Sequence, residues 1–421
     1  MVSIMQSLTK IKGFADLFEP ESLVFRHLEE TARAVFGRHG YQELRTPILE
    51  RTELFQRSIG EETDVVQKEM YTFPDRKDRS LTLRPEATAG VMRAFIESGL
   101  HTREPVSRLF TTGPMFRYER PQKGRMRQFH QVNVECLGLD APWVDAEIIA
   151  MLWSFLQALQ LPGLRLEINS LGCPQCRPAY METLHAFLAT TSDADLCEDC
   201  ARRRHKNPLR LLDCKAAGCR AIMQDAPKIA DCGCPACQEH FAQVLALLQG
   251  VGIEPVVNHR LVRGLDYYTR TTFEVVSGDI GAQAAVAGGG RYDGLIRQLG
   301  GPDLPGIGFA CGMERLALLA QAPAKPRPAF CMILPDPGLL PQAFPLVRQL
   351  RELGLPGDLG EPGKSFKSQM RAANRIQARF ALILGPDEWT SRVVQCKNLG
   401  DGTQTPLSLD DIPALARHLT A

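Results

Sequence analysis

Two long strand patterns joined by a short basic loop constrain the fold of this chain most strongly. The first is "RLFTTGPMFRYER", residues 108–120, and the second is "RQFHQVNVECLG", residues 127–138, with "PQKGRM" between them. Strands separated by so short a loop form a hairpin, so the sheet is antiparallel at this point.

Glycine-rich segments raise the alternative of a parallel, nucleotide-binding sheet. "GDLGEPGKS", residues 357–365, resembles a phosphate-binding loop, but five residues instead of four separate Gly357 from Gly-Lys-Ser. "GGGRYDG" and "GIGFACG" each miss the dinucleotide-binding spacing by one residue. If the protein binds a nucleotide, it does so by another design.

Length and composition are those of an ordinary globular protein. A chain of 421 residues exceeds one domain, so about two or three domains are expected. The net charge of +1 neither indicates nor excludes a nucleic-acid partner, because a local basic patch suffices. No apolar run reaches the length of a membrane span, and the N-terminus lacks the apolar region of a signal peptide. We therefore expect a cytoplasmic protein without a membrane partner.

The pattern of elements changes twice along the chain. Helices and strands are interrupted by a cysteine-rich segment, and strand patterns resume at Leu261. "APAKPRPA" is rich in Pro and Ala and is typical of a linker. The segment after it alternates strands and helices and has the size of one α/β domain. We predict an α/β protein with an α+β core at 1–170 and 257–322, a Cys-rich helical insertion at 171–256, a linker at 323–327 and a final domain at 328–421.

One strand pattern, "NHRLVRGLDYYTRTTFEVV" at residues 258–276, holds an unusual polar group. Two arginines, an acid and two tyrosines surround a glycine at its centre. An edge strand with a solvated polar face explains them without any function. A binding site is the alternative, and the rest of the chain has to supply the reason to prefer it.

Thirteen cysteines, nine of them between Cys173 and Cys237, distinguish the insertion. The chain is long and lacks a signal peptide, which argues against a disulfide framework. Twenty residues separate the first two Cys-x-x-Cys pairs, close to the spacing of a four-cysteine zinc site. Reduced thiols in a helical insertion are the alternative, and the pairing stays open. The candidate zinc ligands are Cys173, Cys176, Cys197, Cys200, Cys214, Cys219, Cys234 and Cys237.

The polar residues of the hairpin occur in an order typical of one enzyme class. Phe116-Arg117-x-Glu119 is followed by Arg125-x-x-x-Phe129. Arginines on a sheet can bind nucleotide phosphates through forked contacts. The order resembles the second motif of the class II aminoacyl-tRNA synthetases, and "GIGFACGMERL" resembles their third motif. An antiparallel class II catalytic core is therefore the expected fold.

This resemblance implies how ATP would bind. Arg117 holds the α-phosphate and the amino-acid carboxylate, and Glu119 contacts the adenine side. Arg125 reaches the γ-phosphate, and Phe129 stacks on adenine. Arg315, in the third motif, binds phosphate and covers the adenine. Mg²⁺ is expected to bridge the outer phosphates.

Two further segments narrow the resemblance to one family. "LVRGLDYYTRT" and "AGGGRYDGL" resemble the pair of motifs peculiar to histidyl-tRNA synthetases, and the likeness extends over nearly the whole chain. It implies a histidine–tRNA ligase that forms histidyl-adenylate and pyrophosphate from L-histidine and ATP. The histidyl group then moves to the 3' end of its tRNA. The segment up to Pro47 resembles the first class II motif, which implies a homodimer.

The same resemblance implies a histidine site. The cationic α-amino group of histidine needs a carboxylate, and Glu86 of "RPEAT" is in the matching position. An imidazole has one donor and one acceptor nitrogen, so its pocket needs paired polar groups. Arg263 is the implied electrostatic catalyst, because a fixed guanidinium stabilises the charge that spreads over the α-phosphate. The implied histidine-binding residues are Glu86, Ala87, Thr88, Arg117, Gln131, Glu135, Arg263, Tyr267 and Tyr268, with Arg263 and Arg117 catalytic.

Contacts with tRNA are implied at two places. Arg120 and Gln122, in the hairpin loop, match residues that contact the acceptor end. The last domain resembles an anticodon-binding domain. Its Arg371, Arg375 and Arg379 recur at helical spacing and can face RNA phosphates, although a solvated helix face is the alternative.

Two other functions fit part of the sequence. A regulatory subunit of histidine biosynthesis keeps this fold and senses histidine, but such paralogues typically lack the last domain and the catalytic arginines. Both are present here. A zinc-dependent nucleic-acid-binding module explains the cysteines and nothing else.

Overall fold

The computed structural model describes residues 8–61, 63–280 and 285–420. The predicted first and last domains include residues 1–7 and 421, which lie outside these ranges. The chain divides into two compact units, Met1–Pro323 and Ala324–Ala421. Each unit is described by itself.

The first unit combines a large sheet, a small sheet and helices. Its described strands are β1 Gln42–Glu43, β2 Leu49–Arg51, β3 Tyr71–Pro74, β4 Ser80–Leu83, β5 Ser107–Phe116, β6 Gln128–Leu137, β7 Leu164–Ser170, β8 Val256–Val257, β9 Thr269–Ser277, β10 Ala285–Arg291 and β11 Gly306–Gly312. Its described helices are α1 Glu21–Arg38, α2 Thr52–Ile59, α3 Thr88–Glu97, α4 Leu100–Arg103, α5 Pro142–Ala158, α6 Cys176–Ala189, α7 Glu198–Lys206, α8 Ala217–Ile222, α9 Pro235–Gly250, α10 Leu295–Gln298 and α11 Met313–Leu319.

The large sheet is antiparallel at its centre, as the hairpin predicts. Its eight strands follow the order β1-β5-β6-β11-β10-β9-β7-β8, and only the β1–β5 and β7–β8 pairs, at the two edges, are parallel. The pairing of β5 with β6 runs from Ser107 opposite Leu137 to Phe116 opposite Gln128. The class II core expected from the sequence is therefore confirmed in its main feature.

Two strand predictions extend too far. The first hairpin strand ends at Phe116, and residues 117–120 belong to the connecting loop. The pattern that resumes at Leu261 becomes a strand only at Thr269. One reason is local: the side-chain amide of Asn169 donates to the carbonyl of Leu261 at 3.0 Å, which holds this carbonyl out of a strand ladder.

Helices cover one face of the large sheet. Alternate strand residues such as Val132 and Val134 point to this face and pack in a core with Phe36 of α1. The ring of Phe36 is fully buried, and burying a side chain of this size stabilises the fold by about 1.5–3 kcal/mol. Because successive residues of a strand point to opposite faces, Gln131 and Glu135 lie on the other face.

The Cys-rich insertion is helical, as predicted, and is built into the first unit. Its last helix, α9, contributes Val244 and Leu248 to the core that α1 and α5 share with the sheet. Other apolar residues of the insertion, such as Tyr180 and Leu184 of α6, pack in a second core. That second core also contains Tyr268, so the insertion and the polar segment at residues 258–276 pack together.

The second unit is an α/β domain, as predicted. Its sheet has the order β13-β12-β14-β15-β16, in which β12 pairs in parallel with β13 and β14 and the remaining pairs are antiparallel. "GDLGEPGKS" forms β13 and a loop before a helix, not a phosphate-binding loop. The described elements are β12 Phe330–Ile333, α12 Leu340–Glu352, β13 Gly357–Leu359, α13 Phe366–Arg375, β14 Phe380–Ile383, α14 Pro386–Thr390, β15 Val393–Asn398, β16 Gln404–Ser408 and α15 Ile412–Thr420.

The three arginines of the second unit that recur at helical spacing do not all lie on a helix. Arg371 and Arg375 lie exposed on α13. The helix ends at Arg375, and Gln377 has a φ of 56°, so Arg379 lies beyond the helix on the way to β14. Only two of the three arginines therefore keep helical spacing.

Within the described ranges, every helix is too short or too polar to cross a lipid bilayer.

Candidate active site

A cavity opens on the face of the large sheet opposite α1 and α5. Its volume is about 190 Å³, and strands β6, β9, β10 and β11 contribute to its wall. Four of its lining side chains are arginines, which makes it suited to an anionic ligand. The predicted residues that line it are Arg117, Glu119, Arg125, Phe129, Gln131, Arg263 and Arg315.

The second-motif residues lie together at one end of this cavity. The Arg117 guanidinium lies 5.3 Å from the centre of the Phe129 ring, and its Nε donates to the carbonyl of Pro85 at 2.8 Å. Glu119 forms ion pairs with Arg117, at 3.9 Å, and with Arg125. The acid thus holds both guanidiniums at the same wall of the cavity.

The third-motif residues close the cavity from β11 and α11. Arg315 donates from Nη1 to the carbonyl of Ala285 at 2.6 Å. Glu314 accepts a hydrogen bond from the backbone N–H of His130 at 2.9 Å, which ties the start of α11 to β6. The second and third motifs are therefore joined directly, as a shared nucleotide site requires.

A buried carboxylate lies deeper on the same face. Glu135 is 2 % exposed and accepts hydrogen bonds from the Thr88 hydroxyl, at 2.7 Å, and from the Tyr292 hydroxyl. Burial raises the pKa of Glu135 to about 8, although both hydrogen bonds favour the charged form. The site thus holds a carboxyl group that can change its protonation state near neutral pH.

A second buried carboxylate caps helix α3. Glu86 accepts from the backbone N–H groups of Thr88, at 2.6 Å, and Ala89, at 2.9 Å. Burial raises the pKa of Glu86, and these two N–H groups act against the shift. Ala87, between Glu86 and Thr88, is 1 % exposed. The segment 86–88 is therefore fixed in the interior beside Glu135.

The polar segment that follows Leu261 supplies the aromatic wall. The rings of Tyr267 and Tyr268 lie 4.6 Å apart, and each side chain is 8 % exposed. The Arg263 guanidinium lies 5.9 Å from the Tyr268 ring centre and forms an ion pair with Glu274 of β9. Arg263 thus stands between the tyrosines and the arginine-lined cavity.

Glycines of β10 and β11 leave room for these side chains. A Cβ atom at Gly288 would lie 2.7 Å from Cζ of Arg263. A Cβ at Gly290 would lie 3.0 Å from the Tyr268 ring, and one at Gly308 would lie 3.0 Å from Cδ of Glu135. The glycine-rich motif of β10 is therefore a steric requirement of the site.

Three contributors were not selected from the sequence. Tyr292 and Gly288 belong to "AGGGRYDGL", but only the motif as a whole was recognised. Glu274 lies in the β9 pattern "TTFEVV", where its alternation with buried Phe273 and Val275 indicates the same face as the site. Its partnership with Arg263 depends on the sheet, which the sequence does not reveal.

The predicted acceptor-end residues lie at the rim of the site. Arg120 and Gln122 are exposed in the hairpin loop, outside the buried carboxylate cluster. The loop is closed by two backbone hydrogen bonds between Gln122 and Arg125, of 3.0 and 2.9 Å. Arg125 therefore links the exposed loop to the cavity.

The eight candidate cysteines form two compact clusters. One contains Cys173, Cys176, Cys234 and Cys237, and the other contains Cys197, Cys200, Cys214 and Cys219. In each, the four sulfur atoms lie within 4.8 Å of one another, so each could hold one metal ion. The first two Cys-x-x-Cys pairs, whose spacing suggested one site, are in different clusters, because the first pair meets α9 at the end of the insertion.

Comparison with known families agrees with this geometry. The family model described as histidyl-tRNA synthetase matches residues 13–316, and the one described as anticodon binding domain matches residues 331–419. The first match includes both cysteine clusters and every residue of the candidate site.

Individual relatives match over almost their entire length. Histidine–tRNA ligase of Nitratidesulfovibrio vulgaris is 61% identical over 97% of this chain and 98% of its own. The enzyme of Solidesulfovibrio magneticus is 58% identical over 99% of this chain and 98% of its own. The crystal structure of apo S. aureus histidyl-tRNA synthetase superposes with a TM-score of 0.82 at 33% identity, over 99% of this chain and 100% of that one. The second- and third-motif residues line one cavity, and the two family models and these relatives match almost the entire chain. The chain therefore belongs to the histidyl-tRNA synthetase family.

Proposed function

We propose that the chain is a histidine–tRNA ligase, which activates L-histidine with ATP and transfers the histidyl group to the 3' end of its tRNA. The observation that carries this proposal is the junction of two sites on one sheet face. An arginine-lined cavity is joined through Arg263 to a buried cluster around Glu135 and Tyr268. The first suits the phosphates of ATP, and the second suits an imidazole.

Histidine recognition is proposed to depend on paired polar groups. Glu135, held by Thr88 and Tyr292, offers a carboxyl group to one ring nitrogen. A tyrosine hydroxyl of Tyr267 or Tyr268 serves the other nitrogen, and Glu86 attracts the α-amino group. An analogue that leaves these buried polar atoms unpaired is rejected by about 10⁴-fold or more in sites of this kind.

Adenylate formation is proposed to depend on fixed positive charge. The histidine carboxylate attacks the α-phosphorus of ATP, and pyrophosphate leaves. Negative charge grows on the equatorial oxygens in the transition state, where Arg117 and Arg263 stabilise it without reorganising. Glu274 pairs with Arg263 and Glu119 pairs with Arg117, so both guanidiniums are held in place before substrate binds.

Nucleotide binding is proposed to involve the remaining cavity residues. Phe129 stacks on adenine, Glu119 contacts its edge, and Arg125 and Arg315 take the outer phosphates. Mg²⁺ bound to these phosphates would neutralise part of their charge, and the carboxylate of Glu274 lines the same cavity.

The two cysteine clusters are proposed to hold zinc, with one ion in each. Each cluster brings four cysteine sulfur atoms together, and four sulfur ligands suit Zn²⁺, which prefers tetrahedral coordination. Such sites contribute to folding directly. Their proposed role is therefore structural.

Contacts with tRNA are proposed at the hairpin loop, through Arg120 and Gln122, and at the second unit, through Arg371 and Arg375. We also propose a homodimer in the cytoplasm. Two exposed apolar residues support the dimer. Ile48, 42 % exposed, directly follows Pro47, and Phe73, 43 % exposed, lies on β3 of the small sheet.

The proposed activity is tested by amino-acid-dependent exchange of pyrophosphate into ATP. Histidine should support exchange, and the other amino acids should not. Charging of histidine tRNA by the same protein tests the second step. A chain that binds histidine but supports no exchange would instead fit the regulatory paralogue.

A further inference from the structure

The segment Leu261–Tyr268 carries much of the candidate histidine site but lies in no strand or helix. We call it the histidine loop. Its backbone groups must find partners outside a ladder, because unpaired buried backbone groups are costly. One of these partners, Arg177, belongs to the Cys-rich insertion, which also binds a side chain of the loop.

Two hydrogen bonds join the insertion to the histidine loop. Arg177 of α6 donates from Nη2 to the backbone carbonyl of Tyr268 at 2.5 Å. Asn207, just after α7, donates from Nδ2 to Oδ1 of Asp266 at 2.9 Å. The insertion therefore holds both the middle and the end of the loop.

Apolar packing joins the same two regions. Val262, Tyr267 and Tyr268 of the histidine loop are buried in one core with residues of the insertion. The insertion residues in that core include Leu184, Leu188, Leu196, Cys200, Leu211, Leu212 and Cys219. Two of these are cysteines of the second cluster, so the wall behind the tyrosines continues into that cluster.

Each supporting residue is anchored by a cysteine cluster. Arg177 directly follows Cys176 of the first cluster, and Asn207 follows the helix that contains Cys200 of the second. That helix is also tied to the loop before Val65, because Arg203 forms an ion pair with Asp64. The positions of both supports thus depend on how the cysteines are held.

The cluster geometry fits tetrahedral thiolate coordination. Zinc–sulfur bonds of about 2.3 Å in a tetrahedron place the sulfur atoms about 3.8 Å apart. The Cys176–Cys237 and Cys197–Cys214 sulfur pairs are both 3.8 Å apart. Backbone N–H groups also donate to sulfur, from Cys234 to Cys176 at 3.0 Å and from Cys197 to Cys219 at 3.2 Å. Such donors favour ligands that carry negative charge.

We propose that zinc in the two clusters positions the histidine loop, so that metal loading sets the affinity of the site for histidine. Arg177 and Asn207 are the positioning residues that connect the metals to the loop. The inference rests on the proposed histidine site and goes beyond a structural role for the metal. The nucleotide wall formed by β5 and β6 is held by its own ladder and should respond much less.

The metal arm of the test uses the full chain purified without chelators. Elemental analysis should find zinc at two ions per chain, one for each cluster. Removal with a chelator should speed the reaction of the cysteines with a thiol reagent. In calorimetry, the same treatment should weaken histidine binding by roughly tenfold, more than the loss of one hydrogen bond, because both hydrogen bonds to the loop are disturbed. ATP binding should change by less than about twofold.

The residue arm uses variants that keep all eight cysteines. Asn207→Ala and Arg177→Ala each remove one hydrogen bond and should weaken histidine binding by roughly fivefold. Arg202→Ala is the matched control, because Arg202 lies on the same helix but pairs at the surface with Asp199, at 2.8 Å. It should leave histidine binding unchanged.

Two results would overturn the inference. One is a zinc-free chain with full histidine affinity. The other is a chain that loses zinc and exposes its thiols while its histidine affinity stays the same. Calorimetry needs no turnover, so a chain that binds histidine in a zinc-dependent way but fails to exchange pyrophosphate would contradict the proposed activity and not this inference.

Discussion

The two halves of the candidate site are built differently. The nucleotide half is built on the β5–β6 hairpin and the loop that closes it, and the hairpin ladder runs without interruption from Ser107 opposite Leu137 to Phe116 opposite Gln128. The histidine half depends on the loop Leu261–Tyr268, which is supported by glycines of β10 and by the insertion. A ladder fixes side chains through backbone register, whereas a loop depends on what packs around it.

This difference indicates where the site tolerates change. Substitutions on the hairpin act mainly through the side chain that is lost. Substitutions around the histidine loop can also displace the loop, because an added side-chain atom would occupy space that the loop fills. The following variants separate these two kinds of effect.

Arg263→Ala should have the largest effect. It removes charge that stabilises the transition state more than the ground state, so adenylate formation should fall by roughly 10²–10³-fold while histidine binding weakens much less. Pyrophosphate exchange measures the first quantity and calorimetry the second. Arg260→Ala is the control in the same segment, because Arg260 lines a different cavity from Arg263. Near-normal exchange by Arg263→Ala would rule out its proposed role.

Gly288→Ala should reduce exchange by about 10²-fold although it removes no chemical group, because a displacement of about 1 Å at a reacting centre can have that effect. The added methyl group would meet the Arg263 guanidinium, whose Cζ lies 2.7 Å from the ideal Cβ position. Gly278→Ala is the matched control, since no atom lies within 4 Å of its Cβ position. Equal activities of the two variants would show that the loop is not held by this contact.

Glu135→Gln should change the pH dependence of stability by an amount on the order of a few kcal/mol. Burial raises the pKa of Glu135 from 4.5 to about 8, so between these values the folded protein binds a proton that the unfolded chain releases. Stability from this group is therefore full below pH 4.5 and is lost as the pH rises to 8.

Urea unfolding at pH 5 and pH 8 measures this change. The wild-type protein should lose more stability between the two pH values than Glu135→Gln does. Equal losses would mean that Glu135 is already ionised at pH 5 and that its surroundings stabilise the charge.

Phe129→Ala should have the smallest effect of the four. Stacking of a base on an aromatic ring contributes about 1–3 kcal/mol, so the KM for ATP should rise by roughly tenfold or more. Because the ladder keeps the other hairpin residues in register, the KM for histidine should stay nearly constant. A comparable rise in both KM values would contradict the separation of the two halves.

The hairpin half of the site was predictable because its residues are close in sequence. Phe129 lies on the second hairpin strand, and Arg117 and Arg125 lie in the loop before it, so their spacing already places them together. Arg315 was found through a motif whose strand neighbours β6 in the sheet. Local pattern and motif order were therefore sufficient for this half.

The histidine half was predictable in its residues but not in its construction. The predicted strand around Arg263 extends too far. Strand propensity depends on the local sequence, whereas Leu261–Tyr268 is held out of a ladder by hydrogen bonds from distant residues such as Asn169 and Arg177. Glu274 and Tyr292 were missed, because their roles arise from neighbours that are distant in sequence. The sequence also did not determine which cysteines share a cluster. That grouping depends on the packing of the first turn of α9 beside Cys173 and Cys176, at the start of the insertion.

Amide hydrogen exchange, read by mass spectrometry, tests the contrast between the two halves most directly. In the free protein, amides of Leu261–Tyr268 should exchange much faster than those of β5 and β6, because locally supported segments open more easily than a long ladder. Histidine should slow exchange in the loop, and ATP alone should not. A loop as protected as the hairpin without ligand, or one that histidine leaves unchanged, would contradict the account.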